Sequence, residues 1–306
     1  MPKAAANKDK ENDNEDERPT TSYVAEIARI LRLEKKLTQV AVGEMTGYTG
    51  SAISAMETGA QPVSDKMLVG LEVAIGDRRG FFETARKYVL MEKYPVRFRK
   101  FSQVEAEALM LSSYQTMVMD GLFQTESYAR AVFKGSYPPV SDARAEELVE
   151  ARMARKSLFD RDPIAMLELI VEEGVLERPY GSWDVQRGQL LSLAEDAQRD
   201  NVSVQVLSKQ RGLKGSHAGE RGPMKVVETG DHQHVVYMEI NDEGILVSNP
   251  AKVSRLAQRY AKIRAQALSP DESLELIQRL AGVRKWAPAP CSGSSPVTAT
   301  AVAGTV

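Results

Sequence analysis

The residues with the most reactive side chains are three histidines, one cysteine and the glutamate pair Glu172-Glu173. His232 and His234 flank Gln233, and on a strand they would face the same side. A zinc site needs three or four ligands, and neither cysteine nor a third histidine lies near them, so they are read as a polar hairpin tip. His217 sits in Gly215-Ser216-His217-Ala218-Gly219, a flexible loop that can line a cleft but is read as a plain loop. Glu172-Glu173 follow a buried strand, where neighbours seldom share a face. They are expected to cap or to pair with Arg178, not to form a catalytic pair. Cys291 has no local activating group. No phosphate-cradling glycine loop is present. The expectation is a chain that is not an enzyme and has no metal or cofactor. The spacing does support non-covalent chemistry. Lys35, Lys36, Thr38 and Gln39 form one group, and Thr49, Gly50, Ser51, Ala52, Ser54 and Ala55 a second. Each group opens at an expected helix start. There, free backbone N–H groups and small polar side chains can contact phosphate and lie close to a groove.

The elements that must position these residues are short helices. Val24, Ile27, Ala28 and Leu31 make one apolar stripe, which predicts a first helix over about Tyr23 to Lys35, capped by Ser22. Thr38 is expected to cap the second helix, with Gln39 exposed and Val42 and Met45 inward. Gly43 leaves room for the third helix, and Gly47 suits a positive-φ turn. Thr49 is expected to cap the third helix, which buries Ile53 and Met56 and ends at Gly59. Ser64 caps a fourth, with Met67, Leu68, Leu71 and Ile75 inward, and Gly76 stops it. Two short helices around a glycine turn, flanked by longer ones, make a helix-turn-helix that reads double-stranded DNA.

The segment Val24 to Gly76 resembles the XRE (phage-repressor-like) helix-turn-helix domains. Leu37-Thr38-Gln39, Gly47-Tyr48-Thr49, Ile53-Ser54 and Glu57-x-Gly59 with Pro62 carry the resemblance. It implies that the third helix lies in the major groove and that the start of the second clasps the backbone. The chain departs from the pattern in three ways. The third helix shows a small-residue face instead of Arg, Lys, Gln or Asn; Val40 is apolar where a polar residue is usual; Thr46 replaces a usual leucine. Charge also runs against the motif. Val24 to Gly76 holds five basic residues against six acidic ones, where a phosphate footprint should be positive. Asp77 to Phe101 compensates with eight basic against three acidic residues. It is read either as added backbone affinity or as a solvated helix and linker.

The rest of the chain changes pattern. Residues 1–19 are polar, charge-rich and more acidic than basic, hence a solvated, disordered arm. Residues 20–76 are the helix-turn-helix domain and 77–101 the basic helix and connector, with Pro95 as breaker. Residues 102–283 read as an α+β domain with a mixed sheet, and 284–306 as a disordered tail. In the α+β part, strands are expected within Glu105 to Met119, over Ile164 to Val171 and Val202 to Val206, as a pair around Gly230-Asp231, and over Gly244 to Ser248. Helices are expected from Glu126 to Phe133, Ser141 to Phe159, Trp183 to Arg199 (Leu190, Leu191, Leu193 and Ala194 inward), Pro250 to Leu268, and from Ser269 onward. Met110, Met117 and Met119 are read as core.

This second region resembles a domain found after XRE modules in actinobacterial regulators, described as antitoxin-like and linked to developmental control. The resemblance rests on Gly121-Leu122-x-Gln124-Thr125-x-x-Tyr128-Ala129-Arg130, Glu173-x-x-Leu176-x-Arg178, Asn201 to Val206, Val236-Tyr237-x-Glu239 and Ala267-Leu268-Ser269-Pro270-x-x-Ser273. It implies a regulator whose second domain binds a small protein encoded nearby. The functional expectation is a sequence-specific DNA-binding repressor, acting as a homodimer because one reading helix spans too few bases. The alternatives are an antitoxin-like module with weak autoregulatory DNA binding, or a ligand-sensing repressor. The 306 residues, 42% hydrophobic and 27% charged, suit a soluble protein of two domains. One cysteine permits no internal disulfide, no run reaches the ~18 apolar residues of a span, and no signal peptide is evident, so a cytoplasmic protein is expected.

Overall fold

The computed structural model describes residues 18–240 and 243–282. The arm up to Arg18, the tail and Cys291 therefore lie outside the described residues. Helix α1 runs Pro19–Glu34, earlier than the apolar stripe alone suggests. Proline loses nothing at the first helical position, where its missing N–H would have no partner. The next free N–H groups, of Thr20 and Thr21, donate to the Glu92 carboxylate at 2.5 and 2.9 Å. Ser22 is thus inside the helix, and a distant glutamate replaces it as the cap.

Helices α2 (Gln39–Thr46), α3 (Gly50–Glu57) and α4 (Asp65–Ala74) start where their caps predict. Thr38, Thr49 and Ser64 accept from the N–H groups of Ala41, Ala52 and Met67. Helix α5 (Phe81–Lys93) is more than a connector. Its Phe82 and Val89 join Val24, Val42, Ile53, Met56 and Leu71 in one core. Its start is fixed by Glu72, whose carboxylate accepts from the backbone N–H of Gly80, Phe82 and Glu83. Each large apolar side chain buried here is worth about 1.5–3 kcal/mol. Met45 is an exception to expectation. It is 56% exposed, because Val42 already fills the inward position of this short helix.

Pro95 separates α5 from α6 (Val96–Ala106). Phe101 of α6 stacks on Tyr237, and Phe98 packs edge-on against both, so the second half of the expected connector belongs to the α+β core. There follow β1 (Met110–Gln115), α7 (Glu126–Lys134), α8 (Asp142–Ala154), β2 (Met166–Glu172), α9 (Glu173–Glu177), α10 (Trp183–Asp196) and β3 (Val202–Leu207). Then come β4 (Met224–Glu228), β5 (His234–Ile240), β6 (Glu243–Val247), α11 (Pro250–Gln266) and α12 (Pro270–Gly282). Helix α8 does not continue to Phe159. It tightens into a 3-10 turn over Arg155–Phe159, which buries Leu158 and Phe159.

The sheet is mixed, with strand order β3-β2-β1-β4-β5-β6. β1, β2 and β3 are parallel, and β4, β5 and β6 extend the β1 edge antiparallel. Alternation assigns the faces. Leu111, Leu167, Leu169, Val204 and Val227 point to the larger core, with α10 and α12. Tyr114, Ile170, Met224 and Val236 point to the smaller one, closed by Val253, Tyr260 and Ile263 of α11. Leu191, expected inward, is 45% exposed, because Leu190, Leu193 and Ala194 already define the buried stripe of α10. Met117 is likewise exposed, whereas Met119 is buried. Among the described residues no helix is long and apolar enough to cross a membrane.

The helical and α+β parts are bolted together. Lys93 pairs with Glu150 at 2.8 Å, the Tyr94 hydroxyl donates to the Ala151 carbonyl at 3.1 Å, and Arg18 forks onto Glu147.

Candidate nucleic-acid interface

The polar groups singled out in the sequence come together at the starts of α2 and α3. Gly43 permits this. A Cβ there would stand 2.7 Å from the Tyr48 carbonyl and 3.0 Å from the Gly50 nitrogen. Gly47, at φ 75°, makes the turn that a side chain would strain. Thr46, in place of leucine, donates its hydroxyl to the Val42 carbonyl at 2.8 Å and lies against Gly70 of α4. The smaller side chain thus lets α2 and α4 approach closely.

Of the ten predicted residues, Lys36, Thr38, Thr49 and Ser51 are exposed. Thr49 and Ser51 share a hydroxyl hydrogen bond of 2.9 Å at the start of α3. Gly50, Ser54 and Ala55 are half-buried on the same helix, and Ala52 leans onto the core. Val40, 59% exposed, packs over Gly50 and gives the surface an apolar spot between the two helix starts. Lys35 is not an open cation, since it pairs with Asp77 at 2.5 Å. Its positive charge in turn holds the Asp77 carboxyl below its usual value.

Gln39 differs from expectation. It is half-buried, and its amide nitrogen donates to Glu57 Oε2 at 2.9 Å. The same carboxylate takes Nε and Nη2 of Arg32 at 2.6 and 2.8 Å, while Arg32 Nη1 reaches the Leu37 carbonyl. Glu57 thereby ties the ends of α1, α2 and α3. Burial would push its carboxyl up, but the hydrogen bonds from Arg32 and Gln39 and the nearby cationic charge hold it below the usual range. Sequence spacing gave Glu57 only as part of a motif. The signal for its role was an acid in the last turn of a short helix, opposite an arginine near the end of α1.

The acidic balance of the helical part is mostly spent inside. Glu57, Asp65 and Asp77 face Arg32, Arg86 and Lys35, and Glu72 caps α5. The basic connector is spent in the same way. Arg86, Lys93 and Arg97 pair with Asp65, Glu150 and Glu239, and Arg99 donates to backbone carbonyls of Tyr94 and Glu92. Arg29, Lys36, Lys66, Arg78, Lys87 and Lys100 remain exposed. The eight connector cations are thus chiefly a clamp between domains.

The other chemistry-bearing residues lie far from this surface. Glu172 accepts from the Tyr114 hydroxyl and lies 3.1 Å from His217 Nε2. Glu173 takes Ser208 and Lys209, and Arg178 donates to the Met117 carbonyl. The expected Arg178 pairing is therefore not made, because strand alternation turns Glu172 onto the α11 face. His232 adopts a positive φ of 61° at the β4–β5 turn and contacts Glu228.

A family model described as helix-turn-helix matches residues 19–76. A second, described as domain of unknown function (DUF5753), matches residues 98–279. No curated protein and no solved structure matches the chain.

Proposed function

Because this chain belongs to the DUF5753 family and carries a helix-turn-helix in front of that domain, it is a DNA-binding transcriptional regulator, and we propose that it acts as a homodimeric cytoplasmic repressor without enzymatic activity. The observation that carries the reading is the paired, threonine-capped starts of α2 and α3, with Lys36, Thr38, Thr49 and Ser51 exposed around them. Free N–H groups at both helix starts suit phosphate oxygens. The small face of α3 offers hydroxyl contacts, methyl packing and water bridges in place of bidentate base contacts, so discrimination between sequences is modest. The test is fluorescence anisotropy with the DNA upstream of the chain's own gene, titrated over salt. Lys36→Glu is expected to weaken binding tenfold or more at low salt, on every sequence alike. Equal affinity of Lys36→Glu and wild type would overturn the reading.

A second reading gives the α+β domain a small protein partner, antitoxin-like, in keeping with the resemblance to actinobacterial regulators. The edge strand β6 favours it. Ile245 and Leu246 are more than a third exposed there, and an exposed edge is a template for strand addition. Co-expression with the adjacent small gene, with and without Leu246→Lys, tests it. The variant is expected to lose co-purification, and a product that never co-purifies with wild type would sink the idea.

A further inference from the structure

Behind α6 the α+β core encloses an uneven set of charges. Arg155 forks onto Glu105 through Nε and Nη2 at 2.6 and 2.7 Å. Lys225 pairs with Asp120, which also accepts from Ser113. Arg152 makes three cations against these two carboxylates. Among the described residues it has no ion pair of its own. It donates Nη1 to the neutral Gln124 side chain at 2.6 Å, and its guanidinium lies 4.3 Å over the Phe133 ring. Burial, with the like charge of Arg155 beside it, pulls Arg152 down to about 10. Gly121 makes the arrangement possible, since a Cβ there would stand 2.7 Å from Arg155 Nη1 and 3.3 Å from Arg152 Nε.

A cleft of about 50 Å³ opens onto this cation, walled by Tyr94, Phe98 and Phe133. One water needs roughly 10–15 Å³ on this measure, so the cleft admits a carboxylate-sized head and excludes a nucleotide. The acid at its rim, Glu239, is engaged by Arg97 at 2.6 Å. That rim carboxylate disfavours a dianion such as phosphate, while a planar monoanion matches the guanidinium fork. We propose that this cleft, at the joint between the helical and α+β domains, binds a small aromatic or branched monocarboxylate. Its anionic end seats on Arg152, and its apolar body lies on Tyr94, Phe98 and Phe133. The inference goes beyond DNA binding and does not depend on it.

The experiment uses the full chain, with benzoate as probe, benzyl alcohol as its neutral isostere and sodium chloride as the ionic control. Benzoate at tenfold excess over its Kd is expected to raise the melting temperature by about 3 °C, with a one-to-one calorimetric isotherm. Benzyl alcohol and chloride are expected to give no shift. Arg152→Met is expected to abolish the benzoate shift while melting at or above the wild-type temperature, because it removes a cation without a counter-charge. No benzoate shift, an equal shift from benzyl alcohol, or a shift that survives Arg152→Met would overturn the proposal. Should that variant not fold, Arg152→Lys decides. It keeps the charge and loses the fork, so a tenfold weaker Kd supports the site and an unchanged Kd refutes it.

Discussion

The amide nitrogen of Gln39 donates to Glu57 across 2.9 Å, so the first residue of α2 is tied to the last residue of α3. Arg32 completes the knot from α1, its side chain 10% and that of Glu57 3% exposed. Glu57→Gln leaves Arg32 buried without its counter-charge, and about 3 kcal/mol of stability is expected to be lost. The folded carboxyl titrates below its usual value, so its contribution is present above the unfolded pKa and disappears as pH falls through the folded one. The difference in stability between wild type and Glu57→Gln, followed by urea unfolding from pH 7 to pH 3, is expected to shrink only on the acid side. A constant difference would show that the charge is not what Glu57 contributes. Gln39→Ala is expected to weaken DNA binding less than Lys36→Glu, because its amide already serves Glu57.

Two glycines give opposite outcomes. Gly43→Ala drives a Cβ to 2.7 Å from the Tyr48 carbonyl oxygen, a backbone atom that cannot turn aside. It is expected to cost about 1–3 kcal/mol by overpacking and to misplace α3 against α2, with DNA affinity falling alongside. Gly188 lies inside α10, where a Cβ would meet nothing within 4 Å. Gly188→Ala is expected to stabilise by about 0.5–1 kcal/mol through helix propensity alone. Thermal unfolding of both variants checks the pair.

What was legible in the sequence was local. Thr38, Thr49, Ser64, Thr125, Ser141, Ser182 and Asn249 all cap helices, because a cap and its N–H acceptor partner lie within three residues. The strand alternation of Val202 to Leu207 is local too. What was not legible depends on residues far apart in the chain. Glu92 caps α1 from 72 residues away, so Ser22 looked like the natural choice. Charge counting over the connector could not show that Lys93 and Arg97 meet Glu150 and Glu239. Met45 was placed inward because an eight-residue helix has too few turns for periodicity to separate neighbouring positions. Among the site residues, Lys36, Thr38, Thr49 and Ser51 lie exposed at the helix starts, while Gln39 and Lys35 are held by acids no spacing rule points to.

Asp120 and Lys225 should behave as a unit. Burial would push the Asp120 carboxyl up, but Lys225 and Arg155 overcome it and hold the group far below its usual value. Asp120→Asn strands Lys225 beneath the Phe101 ring and is expected to destabilise the α+β domain by about 3–5 kcal/mol. The double variant Asp120→Asn with Lys225→Met is expected to recover part of that loss, since the orphaned charge goes with its partner. Urea unfolding of the four chains gives the coupling directly; additive losses would mean that the two residues act separately.

The apolar groove between α1 and α5 is the expected dimer contact of the proposed repressor. It measures about 560 Å³ and is lined by Tyr23, Phe81 and Tyr88, with Thr20 and Thr84 at its polar edge. Tyr23 is 65%, Phe81 49% and Tyr88 42% exposed, a concentration of aromatic surface that a monomer would leave wet. The groove lies on the helical domain itself, so a contact there would fix the spacing of two α3 helices, which must meet half-sites about 34 Å apart. Phe81→Glu is expected to leave the melting temperature of the helical domain nearly unchanged, because the ring is exposed and Phe82 provides the burial. The same variant is expected to halve the mass seen by light scattering and to weaken binding to a two-half-site DNA by tenfold or more. Its affinity for a single half-site should not change. If Phe81→Glu scatters as a dimer, the contact lies elsewhere, and Ile245 and Leu246 on the β6 edge become the next surface to substitute.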